Sequence, residues 1–231
     1  MSAITAITAQ NTVGVEAIEA VSPEMIIAQI GAVADDIGVD AVKVGMLGNA
    51  EAIEAVVAAL SLLVDEVPIV VDPVMVAESG AVLLDPEARE ALVVRLLPLA
   101  TVVTPNIPEA RALVGTEAHD SQEDLAREVL ALGPRAVVVT GGHSQRGVDL
   151  FFDGRESAEI PGDKHPGGAT HGSGCTHSSA LAAFLARRDT PLEAARKARE
   201  IASAAVAAGL REVGEGPGPV DVFNLTARAP Q

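Results

Sequence analysis

A glycine-rich turn, Thr170-His171-Gly172-Ser173-Gly174-Cys175-Thr176, runs directly into an alanine-rich segment of helical composition, Ser178 to Ala186. The start of an α-helix leaves about four backbone N–H groups without an intrahelical acceptor and carries roughly half a positive charge. Glycines let such a backbone approach an anion closely. Phosphoryl transfer asks for positioning and for neutralisation of charge on the moving group, and a turn of this kind supplies both. The bland reading is a surface loop capped by Ser173 or Thr176. Cys175 falls in the first helical turn, where a thiol pKa can fall and the group can act as a polar partner or base beside an acceptor hydroxyl. Its alternative is a small buried hydrophobe.

A second constellation is Thr104-Pro105-Asn106-Ile107-Pro108-Glu109. Asn106 and Glu109 stand three apart, so they share one face if the turn is helical. Their oxygens suit contacts to hydrated Mg2+, and equally suit a reciprocal helix cap. Asp72, before Pro73, ends an aliphatic run and either faces a ligand or forms a turn. His143 and His171 are isolated, and a single cysteine leaves no zinc cluster and no intrachain disulfide. No G-x-x-x-x-G-K-[ST] loop and no early G-x-G-x-x-G is present.

These residues need elements to position them. The pattern alternates strands, expected over residues 3–9, 40–44, 68–71, 100–103 and 136–139, with helices over 23–37, 49–63, 86–98, 108–114, 121–132, 175–187 and 191–213. A hairpin is expected around Asp153-Gly154. Helix starts carry recognisable punctuation, as in Ser22-Pro23-Glu24 and Asp85-Pro86-Glu87. Repeated strand–helix units predict an α/β fold with a mostly parallel sheet and ligands at the strand carboxyl ends. The clusters at residues 10–12, 45–46, 72–73, 104–106 and 140–143 would then line one edge. No linker or repeat divides the chain, so a single domain over residues 1–231 is expected.

Composition agrees. Hydrophobic residues make up 48% of the 231 and aromatics only 2%, which predicts a core of Ala, Val, Leu and Ile. A formal charge of −16 argues against nucleic acid or an anionic membrane surface as partner. No signal peptide and no membrane-length apolar run is evident, and the cytoplasm is the expected location.

Taken together, the segments Ala9-Gln10-Asn11-Thr12, Lys43-Val44-Gly45-Met46-Leu47, Asp72-Pro73-Val74-Met75-Val76, 104–110, Thr140-Gly141-Gly142-His143 and 170–176 resemble, in order, those of hydroxymethylpyrimidine/phosphomethylpyrimidine kinases. These are the thiamine-pathway branch of the ribokinase-like kinases, and Cys175 marks the branch, since sugar kinases place an aspartate there. The resemblance implies a three-layer α/β/α fold, a homodimer, and ATP- and Mg2+-dependent phosphorylation of hydroxymethylpyrimidine and then of its monophosphate. It implies that Gln10 bonds the aminopyrimidine and that Met46 and Val74 line its pocket. Asp72, Asn106 and Glu109 would organise Mg2+ and phosphates. Gly172, Ser173, Gly174 and Cys175 would form the anion hole, and Thr140, Gly142, His143, Thr170 and Lys197 would border the nucleotide. Two departures stand out. Glu78 and Thr140 occupy places where relatives often carry Lys, and the family's N-terminal strand and Gly-rich segment are expected to be missing here. Pyridoxal or pyridoxine phosphorylation, and a truncated pyrimidine-binding module without turnover, are the alternatives.

Overall fold

The computed structural model describes residues 1–63, 66–76, 80, 83–116, 121–142 and 147–225. Strands β1 (Ala6–Gln10) and β2 (Val15–Ala20) pair antiparallel as a separate two-stranded sheet. This differs from the expectation that residues 3–9 join the main sheet and that 10–12 lie on its ligand edge. The physical reason is β2, a strand that its polar alternation conceals in the sequence. Its alternation Val15-Glu16-Ala17-Ile18-Glu19-Ala20 leaves most of the strand exposed, and a strand so exposed cannot serve in a sheet covered on both faces. Asn11 closes the turn by accepting from Val13 and Gly14 N–H, each at 2.9 Å.

The main sheet has six strands in chain order: β3 (Val42–Val44), β4 (Ile69–Val71), β5 (Val102–Val103), β6 (Val137–Val139), β7 (Asp149–Phe152) and β8 (Ser157–Ile160). The first four run parallel, and β7 and β8 turn back antiparallel. Successive side chains of a strand face opposite ways, and the valines sort accordingly. Val44, Val71, Val103, Val137 and Val139 enter one core with residues of helices α1 (Pro23–Asp36), α2 (Ala50–Leu60), α3 (Pro86–Ala91), α4 (Ile107–Val114) and α5 (Gln122–Ala131). Val70, Val102, Val138 and Phe151 enter a second core with α6 (Ser173–Ala186) and α7 (Pro191–Ala207). The result is the expected α/β/α layering.

Helix starts follow their side-chain chemistry. Ser22, Asn49, Asp85, Asn106, Ser121 and Thr190 each accept from an N–H of the first turn of the helix they open. Before Pro98, the helix begun by α3 loosens into a π turn (Leu92–Leu96) and a 3-10 turn (Leu97–Leu99). No helix among the described residues is long and apolar enough to cross a membrane.

Candidate active site

Because β3 to β6 are parallel, their carboxyl ends meet at one edge, and each delivers a polar group there. Asp72, just past β4, is buried. Lys43 of β3 places its ammonium 3.2 Å from Asp72 Oδ2. Gly45 makes room for that ammonium, since a Cβ at Gly45 would stand 2.5 Å from Lys43 Nζ. From the other side, Ser178 of α6 brings its hydroxyl within 2.9 Å of the same carboxylate oxygen, with its single proton also in reach of the Gly174 carbonyl at 2.9 Å. Asp72 thus joins β3, β4 and the first turns of α6.

Past β5, Asn106 and Glu109 form a reciprocal cap. Asn106 Oδ1 accepts from Glu109 N–H at 2.8 Å, and Glu109 Oε2 accepts from Asn106 N–H at 2.9 Å. The helix-cap alternative is therefore what these two side chains do toward each other, and it aims the Glu109 carboxyl into the region of Asp72. Asn106 also bridges to Thr140 beyond β6, so the ends of β5 and β6 stay side by side.

The turn before α6 differs from every other α-helix start among the described residues. Gly172 caps α6 in the left-handed conformation (φ +87°), and no side chain caps its first turn. Neither Ser173 nor Thr176 fills the place; the Thr176 hydroxyl instead donates to the Gly172 carbonyl at 2.8 Å. Thr170 and Gly172 carbonyls accept from Ser173 and Thr176 N–H, and His171 pairs in parallel with Pro219 of the C-terminal segment. A helix start of this kind suits an anion.

Electrostatics tie the groups together. Burial pushes the Glu109 carboxyl up to about 7, helped by the Asp72 charge and opposed by the N–H groups of Asn106 and Met75. Cys175 is exposed, yet desolvation, with Asp72 and Glu109, outweighs Lys43 and raises its pKa. A helix-start thiol was expected to move the other way; here the neighbouring carboxylates and the partial burial decide, and Cys175 is held as a thiol.

The Glu109 shift has a checkable consequence. Between about pH 4.5 and 7 the folded chain keeps a proton that the unfolded chain releases, so this group's contribution to stability falls as pH rises through that window. The full effect is about 3 kcal/mol. Urea unfolding at roughly pH 5 and 8 without added cation should show wild type losing about 2 kcal/mol more than Glu109→Gln, most of the full effect. An identical pH response in the two proteins would show that burial does not hold the proton.

The remaining candidates are placed as follows. The Met46 carbonyl accepts from the Thr5 hydroxyl at 2.8 Å, which fastens the β1–β2 hairpin to the end of β3. Val74 is half-buried, two residues beyond Asp72. Gln10 is exposed on β1, in a hairpin whose tip, Thr12, packs against Gly214 and Gly216. Gly142 is exposed after β6, and His143 and Glu78 lie outside the described residues. Lys197 is not brought to this edge. Its ammonium sits 2.7 Å from Asp189 and 5.3 Å over the Phe184 ring, beside the far end of α6, roughly 16 Å along the helix from the anion turn. Arg199, two residues on and facing another way, is the cation of α7 that approaches the site. Lys43 and Ser178 had been singled out in the sequence for no role of their own. Lys43 could have been found from its place two residues before the Gly45 turn; Ser178 carries no local signal.

Parallel strands that present carboxylates at one edge, opposite an uncapped glycine helix start, define a small-molecule phosphotransferase of the ribokinase-like class. More narrowly, the chain belongs to the phosphomethylpyrimidine kinase family, whose family model matches residues 1–221. A curated relative, the hydroxymethylpyrimidine/phosphomethylpyrimidine kinase of Rhizobium meliloti (strain 1021), is 45% identical over 96% of this chain and 85% of its own. Among solved structures, phosphomethylpyrimidine kinase from Clostridium difficile 630 has a TM-score of 0.75 at 39% identity, covering 87% of this chain and 83% of that one. A Staphylococcus aureus pyridoxal kinase in complex with AMP-PCP and pyridoxal has a TM-score of 0.84 at 31% identity, covering 97% and 82%.

Proposed function

We propose that this chain, acting as one kinase domain, transfers the γ-phosphoryl group of ATP to the hydroxymethyl oxygen of hydroxymethylpyrimidine, and then to the resulting monophosphate. The observation that carries the reading is the uncapped start of α6 facing the Lys43–Asp72–Glu109 edge. Family membership and the name of the Rhizobium relative supply the substrate class.

In this reading Gly172, Ser173, Gly174 and Cys175 cradle the charge that develops on the moving phosphoryl group. The Cys175 thiol, nearest the acceptor hydroxyl, orients it by hydrogen bonding. A loose transition state needs little prior deprotonation, so a thiol suits the place as well as a base would. Thr140, Gly142 and Thr170 border the nucleotide, and Gln10, Met46 and Val74 form the pyrimidine side.

Mg2+ fits the donors present. Among the described residues no three of His, Cys, Asp and Glu converge on one point, but Asp72 and Glu109 are coupled carboxylates, and Mg2+ typically takes one or two carboxylates besides water and substrate phosphates. Asp72 and Glu109 would hold it, Asn106 would keep Glu109 in place, and the ion would offset phosphate charge. A homodimer is proposed with the hairpin as its surface, because Ile7, Val13 and Ile18 are exposed there.

Pyridoxal is the second reading, favoured by the TM-score of 0.84 to the Staphylococcus pyridoxal kinase. A coupled ADP-release assay with hydroxymethylpyrimidine, its monophosphate and pyridoxal separates the two. Turnover of both pyrimidines above that of pyridoxal is expected. No ADP above background from folded protein with any of the three would refute kinase activity and leave a pyrimidine-binding module.

A further inference from the structure

Two buried ionisable side chains, Asp149 and His177, and a third that is half-buried, Arg199, cluster beside the site, and the mechanism above uses none of them. Asp149 opens β7 and is fully buried. Because β7 runs antiparallel to β6, with Leu150 opposite Val139, Asp149 stands at the same edge as the carboxyl ends of the parallel strands. Its Oδ1 accepts from Gly141 N–H at 2.8 Å. Arg199 of α7 places Nη1 3.4 Å from that oxygen and donates through Nη2 to the Gly147 carbonyl. His177, two residues after Cys175 on α6, is buried with Nε2 3.8 Å from Asp149 Oδ2.

The surrounding backbone is shaped to this cluster. A Cβ at Gly162 would stand 2.1 Å from Arg199 Nε, so the chain crosses directly over the guanidinium. A Cβ at Gly141 would stand 1.9 Å from the Val148 carbonyl oxygen, so the turn after β6 lies flat on the approach to β7. Desolvation holds the His177 pKa down against the pull of Asp149 and Asp72. His177 is therefore neutral, and α6 brings no second cation to compete with Arg199.

A buried ion pair is weak evidence for stability, because desolvation cancels most of the attraction. What such a pair supplies is direction, and here both partners end on backbone groups of the segment joining β6 to β7: the Gly141 N–H and the Gly147 carbonyl. We infer that Asp149 and Arg199 are positioning residues that fix the Gly141 peptide, and with it Thr140 and Gly142, at a set distance from the anion turn of α6. The inference rests on the proposed nucleotide-bordering role of residues 140–142, and its tests are chosen to be read apart from turnover.

The experiment uses the full chain with Asp149→Asn and Arg199→Lys, the second keeping the charge while losing the fork. Calorimetric titration with AMP-PCP and, separately, with hydroxymethylpyrimidine is paired with amide exchange over residues 140–142. Loss of a charge-assisted hydrogen bond should weaken AMP-PCP binding by about tenfold or more in Asp149→Asn, and less in Arg199→Lys. Pyrimidine affinity should hold within about twofold, and exchange at 140–142 should quicken. Unchanged AMP-PCP affinity, or equal weakening of both ligands, overturns the inference. If Asp149→Asn does not fold, Arg199→Lys decides by the same criteria. If wild type itself binds no AMP-PCP, the nucleotide reading fails, and the exchange rates alone decide whether the pair fixes the turn.

Discussion

Gly174→Asp is expected to lower kcat by about 10²–10³-fold, the loss seen when a preorganised anion site is spoiled, while KM changes far less. The substitution is one the fold accepts. A Cβ at Gly174 meets nothing within 4 Å, and the residue is not among the positive-φ glycines. An acid in the first turn of a helix even favours it, by about 0.3–1 kcal/mol. Stability should therefore hold or rise while the rate collapses, because the new carboxylate stands where negative charge accumulates during transfer. Gly174→Ala separates charge from bulk and should lose much less. Kinetics with thermal unfolding of the same preparations check this. A matching loss of substrate affinity with unchanged kcat, or a lowered Tm, would count against the anion-hole assignment. The contrast is Gly172, whose φ of +87° makes any side chain a strain on the backbone.

The second large effect is expected at Asp72. Asp72→Asn keeps the shape but leaves the Lys43 ammonium, only 19% exposed, without its counter-ion. Breaking one side of a mostly buried pair should cost about 2–3 kcal/mol, at or below the lower end of the usual range because some water reaches the lysine. The rate should fall by about 10²-fold or more as a carboxylate beside the phosphates is lost. The informative variant is the double, Asp72→Asn with Lys43→Met. Removing both charges should restore most of the stability, because no unpaired ion remains, and should restore none of the activity. Denaturant unfolding and ADP release measured on both proteins test this. Recovery of activity in the double would mean that the pair merely holds the fold together.

Much of this arrangement was legible in the sequence, for reasons that can be named. Ser22, Asn49, Asp85 and Asn106 announce helices because capping is local chemistry. Valine runs such as Val137–Val139 announce buried parallel strands because no face needs to be polar. The strand-end positions of Asp72, Asn106 and Thr140 follow from that topology. What could not be read is what depends on reach. Ser178 meets Asp72 across 106 residues, and nothing near either residue marks the pairing. Lys197 and Arg199 look alike in sequence, and only the rotation of α7 sends one to Asp189 and the other to Asp149. Strand β2 was missed because its alternation with Glu16 and Glu19 also suits a polar connection. The direction of the Cys175 shift is not legible because it is set by burial, with Asp72 and Glu109 adding to it against Lys43, and these depend on segments remote in the chain.

The two-faced sheet has a consequence for how the chain reaches its working form. Among the described residues, the helices that cover one face of β4, β5, β6 and β7 are α6 and α7, which are the last two in the chain. Until they dock, Val70, Val102, Val138 and Phe151 have no cover, on strands of two to four residues with little cohesion of their own. The same docking event closes the loop between Asp72 and Ser178 and carries the anion turn into place. Loop closure over such separations is slow and must precede the contacts that reward it. A chain folded only through β8 would hold that apolar sheet face open to association and would lack the turn that opens α6. Recovery of activity after denaturation is expected to track this final docking step.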